Sequence, residues 1–177
     1  MNKMAWEYLD QLDERYKQVS DLIGPCKGDV VLELNSGNSR LPQYLTGEFT
    51  YISNDLYNPA AAYKYTDEQM IKTIDACDIF MCFGIGGYEI SLHPLESATI
   101  TNSIKTGIKK YQPRLIVIEA ISEYKDILVT IMEACGGYEV QKIVENHFKG
   151  VTPEYCGHRY TVILRRKDEY TLDIPKI

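Results

Sequence analysis

The sequence has 177 residues, 45% hydrophobic and 25% charged, as expected of one soluble globular domain with a full core. Its 19 basic and 25 acidic residues give a formal net charge of −6, which argues against a dedicated nucleic-acid binder. No apolar run approaches the roughly 20 residues of a membrane span, and Met1-Asn2-Lys3-Met4-Ala5-Trp6-Glu7 lacks a secretory h-region, so a cytosolic location is expected.

In chain order, Met4, Tyr8, Leu12, Tyr16, Val19 and Ile23 recur at helical spacing, and Gly24-Pro25 stops the pattern. A helix is expected from about residue 3 to 23. Its aliphatic face is expected to pack on the core, with Trp6 and Tyr8 open to a second role as a lid. Val30-Val31-Leu32-Glu33-Leu34 reads as a buried strand, and Asn35-Ser36-Gly37-Asn38-Ser39 as a tight turn. Arg40–Leu45 is a short helical candidate. A strand, a turn that lets backbone approach a ligand, and a helix start form a common seat for nucleotide-like molecules.

Phe49–Asp55 is a second strand ending on an acid, broken by Asn58-Pro59. Ala61–Tyr65 reads as a short strand and Asp67–Ile74 as one or two helical turns. Asp78–Phe83 is a short apolar strand entering the loop Gly84-Ile85-Gly86-Gly87-Tyr88. Leu95–Tyr111 is a helix, Leu115–Glu119 a buried strand, and Tyr124–Ala134 a helix stopped by Gly136-Gly137. Tyr138–Val144 and Arg159–Arg165 alternate as strands. Alternating strands and helices predict an α/β fold: a doubly wound, mostly parallel Rossmann-like sheet with an antiparallel C-terminal edge strand and helices on both faces. Residues 1–177 are expected to form a single domain, with an N-terminal helix within 1–24 and a core over 28–166.

Cys26, Cys77, Cys82, Cys135 and Cys156 make no Cys-x-x-Cys pair, and His93, His147 and His158 lie at no metal-ligand spacing. Neither a disulfide framework nor a metal site is expected, and the thiols are expected to be reduced and mostly buried.

The element order and the first turn together resemble the class I S-adenosylmethionine-dependent methyltransferases. That family opens with a strand followed by acid-x-Gly-x-Gly-x-Gly; here the segment is Glu33-Leu34-Asn35-Ser36-Gly37-Asn38-Ser39, a divergent version that keeps the central glycine. Asn35 and Ser39 are small, and asparagine is the non-glycine residue most at ease at positive φ. Asp55, 22 residues beyond Glu33, matches the acid that binds the ribose hydroxyls in the family, a role suited to a carboxylate accepting two hydrogen bonds. The resemblance implies S-adenosylmethionine as cofactor and a methyl acceptor that is a small molecule or a protein side chain.

By that resemblance the cofactor residues are Glu33, Asn35, Ser36, Gly37, Asp55, Asp67 and Gly84, with Asp67 as the counterpart of the acid facing adenine. Only 23 residues separate Asp55 from Asp78, where the family fits a helix, a strand and a loop, so one helix is expected to be lost or reduced to a turn. Asp55 is alternatively a turn cap. Tyr88, Glu89 and His93 are the candidate substrate contacts, with His93 able to take a proton near neutral pH. Glu119 lies either at the ligand edge or, by slight preference, as a cap on the next helix. Arg159, Arg165, Arg166 and Lys167 read as a solvated strand end. The alternative function is a non-catalytic member of the fold that binds the cofactor weakly or acts through a protein partner. An NAD-dependent oxidoreductase is disfavoured because Gly-x-Gly-x-x-Gly is absent at 35–40.

Overall fold

Gly24, at φ 72°, closes the first helix and hands the chain to a strand whose side chains are buried on alternating faces. The computed structural model describes residues 13–85, 94–149 and 157–167. Its elements are α1 (Asp13–Ile23), β1 (Cys26–Leu34), β2 (Gly47–Asn54), α2 (Asp67–Thr73), β3 (Ile79–Ile85), α3 (Pro94–Tyr111), β4 (Leu115–Ile121), α4 (Lys125–Ala134), β5 (Tyr138–His147) and β6 (His158–Arg166).

The strands form one sheet in the order β2-β1-β3-β4-β6-β5. β1 pairs in parallel with β2 and β3, and β3 with β4; β6 is antiparallel to both β4 and β5. The expected doubly wound sheet is therefore present, and its antiparallel edge is the β5–β6 hairpin. β6 takes the inner place because Val162, Ile163 and Leu164 bury on both faces. β5 is the rim strand, with Val140 and Ile143 about half exposed.

Each strand splits its apolar residues between two layers, as period-two alternation requires. Leu32, Leu34, Phe80, Cys82, Ile116 and Ile118 face α2, α3 and α4, which contribute Met70, Ile104 and Ile131. Val31, Ile79, Met81, Leu115, Val117 and Ile163 face α1, through Tyr16, Val19 and Ile23. Each fully buried aliphatic or aromatic side chain of these layers contributes about 1.5–3 kcal/mol. None of the described helices is long and apolar enough to cross a membrane.

At the amino-terminal end of the sheet, Arg114 grips Asp29 through two bonds of 2.7 Å, fixing the start of β1 to the start of β4. Lys110 Nζ donates to the carbonyls of Ile71 (2.7 Å) and Ile74 (2.6 Å) and so caps the C-terminal end of α2.

Three local readings change. Arg40–Leu45 forms only a 3-10 turn, Leu41–Gln43. β1 begins at Cys26, four residues earlier than its apolar run, with a register shift between Lys27 and Asp29 around Gly28 at φ 80°. Between β2 and α2 no helix forms, as the short interval leads one to expect, but the strand expected at Ala61–Tyr65 is reduced to a single parallel bridge, Asn54 to Tyr63.

Candidate functional site

The strand order reverses between β1 and β3, so a crevice opens at their carboxyl ends, where α/β sheets of this type bind ligands. β1 delivers Glu33 and then the turn. Asn35, Gly37 and Ser39 have φ of 53°, 53° and 54°. These three alternate positions correspond to the three glycines of the family motif, and all are left-handed although only one is glycine. Asparagine tolerates that region well; serine does so at a modest cost. The Ser39 amide donates to the Ser36 carbonyl at 2.9 Å, and the Ser36 amide to the Asn54 carbonyl at 3.1 Å, tying the turn to the end of β2. The Asn35 side-chain Nδ2 donates to Cys82 Sγ on β3 at 3.5 Å.

Asp55, buried just past β2, accepts the amides of Gly37 (2.9 Å), Tyr57 (3.0 Å) and Asn58 (2.9 Å). It is thus a turn cap, and it also locks the turn after β1. A carboxylate has roughly four acceptor sites, so about one remains. Asn58 reinforces the lock by donating to Asn38 Oδ1 at 2.9 Å.

Sequence reasoning missed Asn54. Its side chain accepts the Tyr65 amide and donates to the Tyr65 carbonyl, both at 3.1 Å, imitating a strand partner. It also reaches Asp67 Oδ1 at 3.4 Å. Asp67 therefore stands at the same edge, in the first turn of α2, behind a Thr66–Gln69 capping box. Burial, with the nearby charge of Asp55, pushes its carboxyl up to about 6. Gly84, at φ 75°, ends β3 at a register irregularity, and a Cβ there would meet open space. Glu33, Asn35, Ser36, Gly37, Asp55, Asp67 and Gly84 thus all lie at the carboxyl ends of β1, β2 and β3. Tyr88, Glu89 and His93, and the proposed lid residues Trp6 and Tyr8, lie outside the described residues.

Glu33 is fully buried on the α1 face. Tyr51 donates its hydroxyl to Oε2, while Oε1 meets no hydrogen-bond partner among the described residues. Burial pushes this carboxyl up to about 8, against the lowering effects of the Tyr51 bond and the Arg15 charge. On the same face, Glu119 accepts Arg15 Nη1 at 2.7 Å and Arg159 Nη1 at 2.8 Å. Burial opposes ionisation of Glu119, yet the two guanidiniums hold it below the usual carboxylate range. Two readings are corrected here. Glu119 does not cap the next helix, α4, which has no side-chain cap, nor the 3-10 turn Ser122–Tyr124 before it, because both arginines claim its carboxylate. Arg159 is fully buried rather than solvated, because its residue pairs with Ile121 inside the sheet. Arg165, Arg166 and Lys167 are exposed as expected. Cys26, Cys77, Cys82 and Cys135 are free and buried. His147 and His158, eleven residues apart, stand opposite each other across the β5–β6 hairpin.

No family model and no curated protein matches the sequence. Solved structures do match. N-methyltransferase NodS from Bradyrhizobium japonicum superposes with a TM-score of 0.60 at 12% identity, over 90% of this chain and 98% of that one. Magnesium protoporphyrin IX methyltransferase from Synechocystis, solved with bound S-adenosylmethionine, gives 0.56 at 10% identity, over 94% and 86%. TrmN from Thermus thermophilus gives 0.58 at 10% identity, over 87% of this chain and 48% of its own. This chain likewise spans 48% of a methyltransferase structure from Streptococcus mutans, about half its length. The strand order, the left-handed turn after β1 and these superpositions identify the fold as that of the class I S-adenosylmethionine-dependent methyltransferases.

Proposed function

We propose that this chain binds S-adenosylmethionine at the carboxyl ends of β1 and β3 and transfers its methyl group to a small-molecule or protein acceptor. The observation that carries the reading is the turn after β1. Its three motif positions keep the left-handed backbone although two are not glycine, beside a buried Glu33 oxygen with no hydrogen-bond partner among the described residues. The residues present fit the cofactor: an orphaned carboxyl oxygen suits an ammonium group, and the turn suits close approach of ligand to backbone.

When bound, the cofactor supplies an electrophilic methyl on a sulfonium. The chain's contribution is positioning, which in such displacements provides much of the rate. Glu33 sits largely protonated near neutral pH, and a cation brought beside Oε1 favours its ionised form. Asp67 and the remaining acceptor site of Asp55 offer hydrogen bonds at the β2 side of the crevice. The space beside Gly84 is open.

A second reading, a non-catalytic member of the fold, is favoured by Asp55, whose carboxylate already holds three backbone amides. Incubation with methyl-labelled cofactor and pools of small-molecule or protein acceptors separates the two. Label in an acceptor, lost in Glu33→Ala, supports transfer. Thermal stabilisation by S-adenosylhomocysteine with no label in any pool supports the second reading.

A further inference from the structure

β5 and β6 meet, at the ends nearest their connection, with His147 opposite His158 and Glu145 opposite Tyr160. Opposed residues of an antiparallel pair share a face, as do residues two apart on one strand, so these four side chains form one patch. The imidazoles stack with centroids 4.0 Å apart and planes 21° apart. Both Nε2 atoms converge on Glu145 Oε1, at 3.3 Å from His147 and 2.8 Å from His158. Tyr160 donates its hydroxyl to the same oxygen at 2.9 Å. One ligand atom from each of Glu145, His147 and His158 lies within 4.8 Å of the others, the one such convergence of three among the described residues.

We propose that Glu145, His147 and His158 bind one divalent transition-metal ion of the zinc class. Two imidazoles with one carboxylate suit zinc, cobalt, nickel or copper, and not calcium or magnesium, which take oxygen ligands. Tetrahedral zinc with bonds of about 2.0–2.1 Å sets its ligand atoms about 3.3 Å apart. His147 Nε2 and Glu145 Oε1 already have that separation, and His158 Nε2, at 2.8 Å from the same oxygen, has to move out by about 0.5 Å to reach it. Tyr160 is a positioning residue: its hydroxyl fixes the carboxylate, as outer-shell donors do in metal centres.

Three protein ligands leave a tetrahedral ion one open position. The cluster faces solvent, with the Glu145 and His147 side chains 49% and 67% exposed, so that position accepts water or an external ligand. β5 and β4 are both antiparallel to β6, so this end of the hairpin lies on the same sheet edge as the carboxyl ends of β1 and β3. β5 is three strand spacings from β3, about 14 Å.

The test is titration of the full chain, stripped with chelator and buffer-exchanged, with Zn²⁺ by calorimetry and with Co²⁺ by absorption. The expected result is one ion per chain with a micromolar Kd. His147→Ala and His158→Asn should each weaken it at least tenfold, and the cobalt spectrum should show d–d bands without a thiolate charge-transfer band. In the wild-type chain, Zn²⁺ should shift the imidazole proton resonances of both histidines, which tests the site without any variant. Absence of binding up to the hundred-micromolar range overturns the proposal. So does unchanged affinity in His147→Ala, or a thiolate band, which would move the ion to a cysteine.

Discussion

Glu119→Gln removes the carboxylate shared by two guanidiniums that are 3% and 0% exposed. Glutamine keeps the shape and one carbonyl acceptor but not the charge, so Arg15 and Arg159 both lose the carboxylate they share. Breaking a buried ion pair by removing one partner costs about 3–5 kcal/mol, a large share of the roughly 5–15 kcal/mol that holds a domain folded. With an m-value of about 2 kcal/mol/M, the urea midpoint should fall by about 2 M. Replacing the whole triad by Arg15→Met, Glu119→Leu and Arg159→Met should recover most of the loss, since well-packed apolar replacements of buried ion groups are often neutral. A Glu119→Gln midpoint within about 0.5 M of wild type would refute the reasoning, showing that water or relaxation reaches the triad. The affinity of the folded variant for S-adenosylhomocysteine should change by less than about threefold, because the carboxylate serves the sheet and not the ligand.

Three further outcomes are expected. Ser39→Gly, at φ 54°, should alter stability by less than about 1 kcal/mol, whereas Ser39→Val should cost more than about 2 kcal/mol by urea titration, because a branched Cβ is strained in that region. Gly47→Ala should abolish soluble expression or lower the thermal midpoint by more than about 10 °C, since a Cβ there would lie 2.2 Å from the Cys26 carbonyl oxygen and φ is 85°. The two buried acids should give opposite pH slopes. Glu33, raised to about 8, keeps a proton that the unfolded chain releases near 4.5, so stability falls as pH rises between those values. Glu119, lowered, adds stability above its ordinary value of 4.5 that is lost as pH falls through its folded value. Urea midpoints of wild type and Glu33→Gln at pH 5 and pH 8 check the first slope, which the variant should lack.

The apolar runs at 30–34, 78–83 and 115–119 were legible as strands because burial on both faces writes itself as unbroken hydrophobicity. The turn was legible through Gly37 and Asn35, residues that announce positive φ, although Ser39 gives no such signal. Asp55 could be placed at its strand end, but its service to three backbone amides could not be read, because those amides belong to a turn whose geometry depends on Asn58 and Gly37. Arg159 read as a solvated strand end and Glu119 as a ligand-edge or capping residue because their pairing requires Arg15, 104 residues away from Glu119 in sequence. Glu145, His147 and His158 follow no ligand-spacing rule, since strand pairing and not helical periodicity brings them together. The shortened region between Asp55 and Asp78 was visible as a length deficit. Its repair by the Asn54 side chain was not, because one amide there replaces a backbone ladder.

The most direct measurement is calorimetric titration of the chain with S-adenosylmethionine and S-adenosylhomocysteine, with NAD in parallel, on wild type and Asp55→Ala. The turn after β1, the orphaned Glu33 oxygen and the Asp55 lock predict one site that takes both sulfur ligands with micromolar affinity, ignores NAD, and loses most of its affinity in Asp55→Ala. The absence of heat with either sulfur ligand at high micromolar concentration would contradict the account.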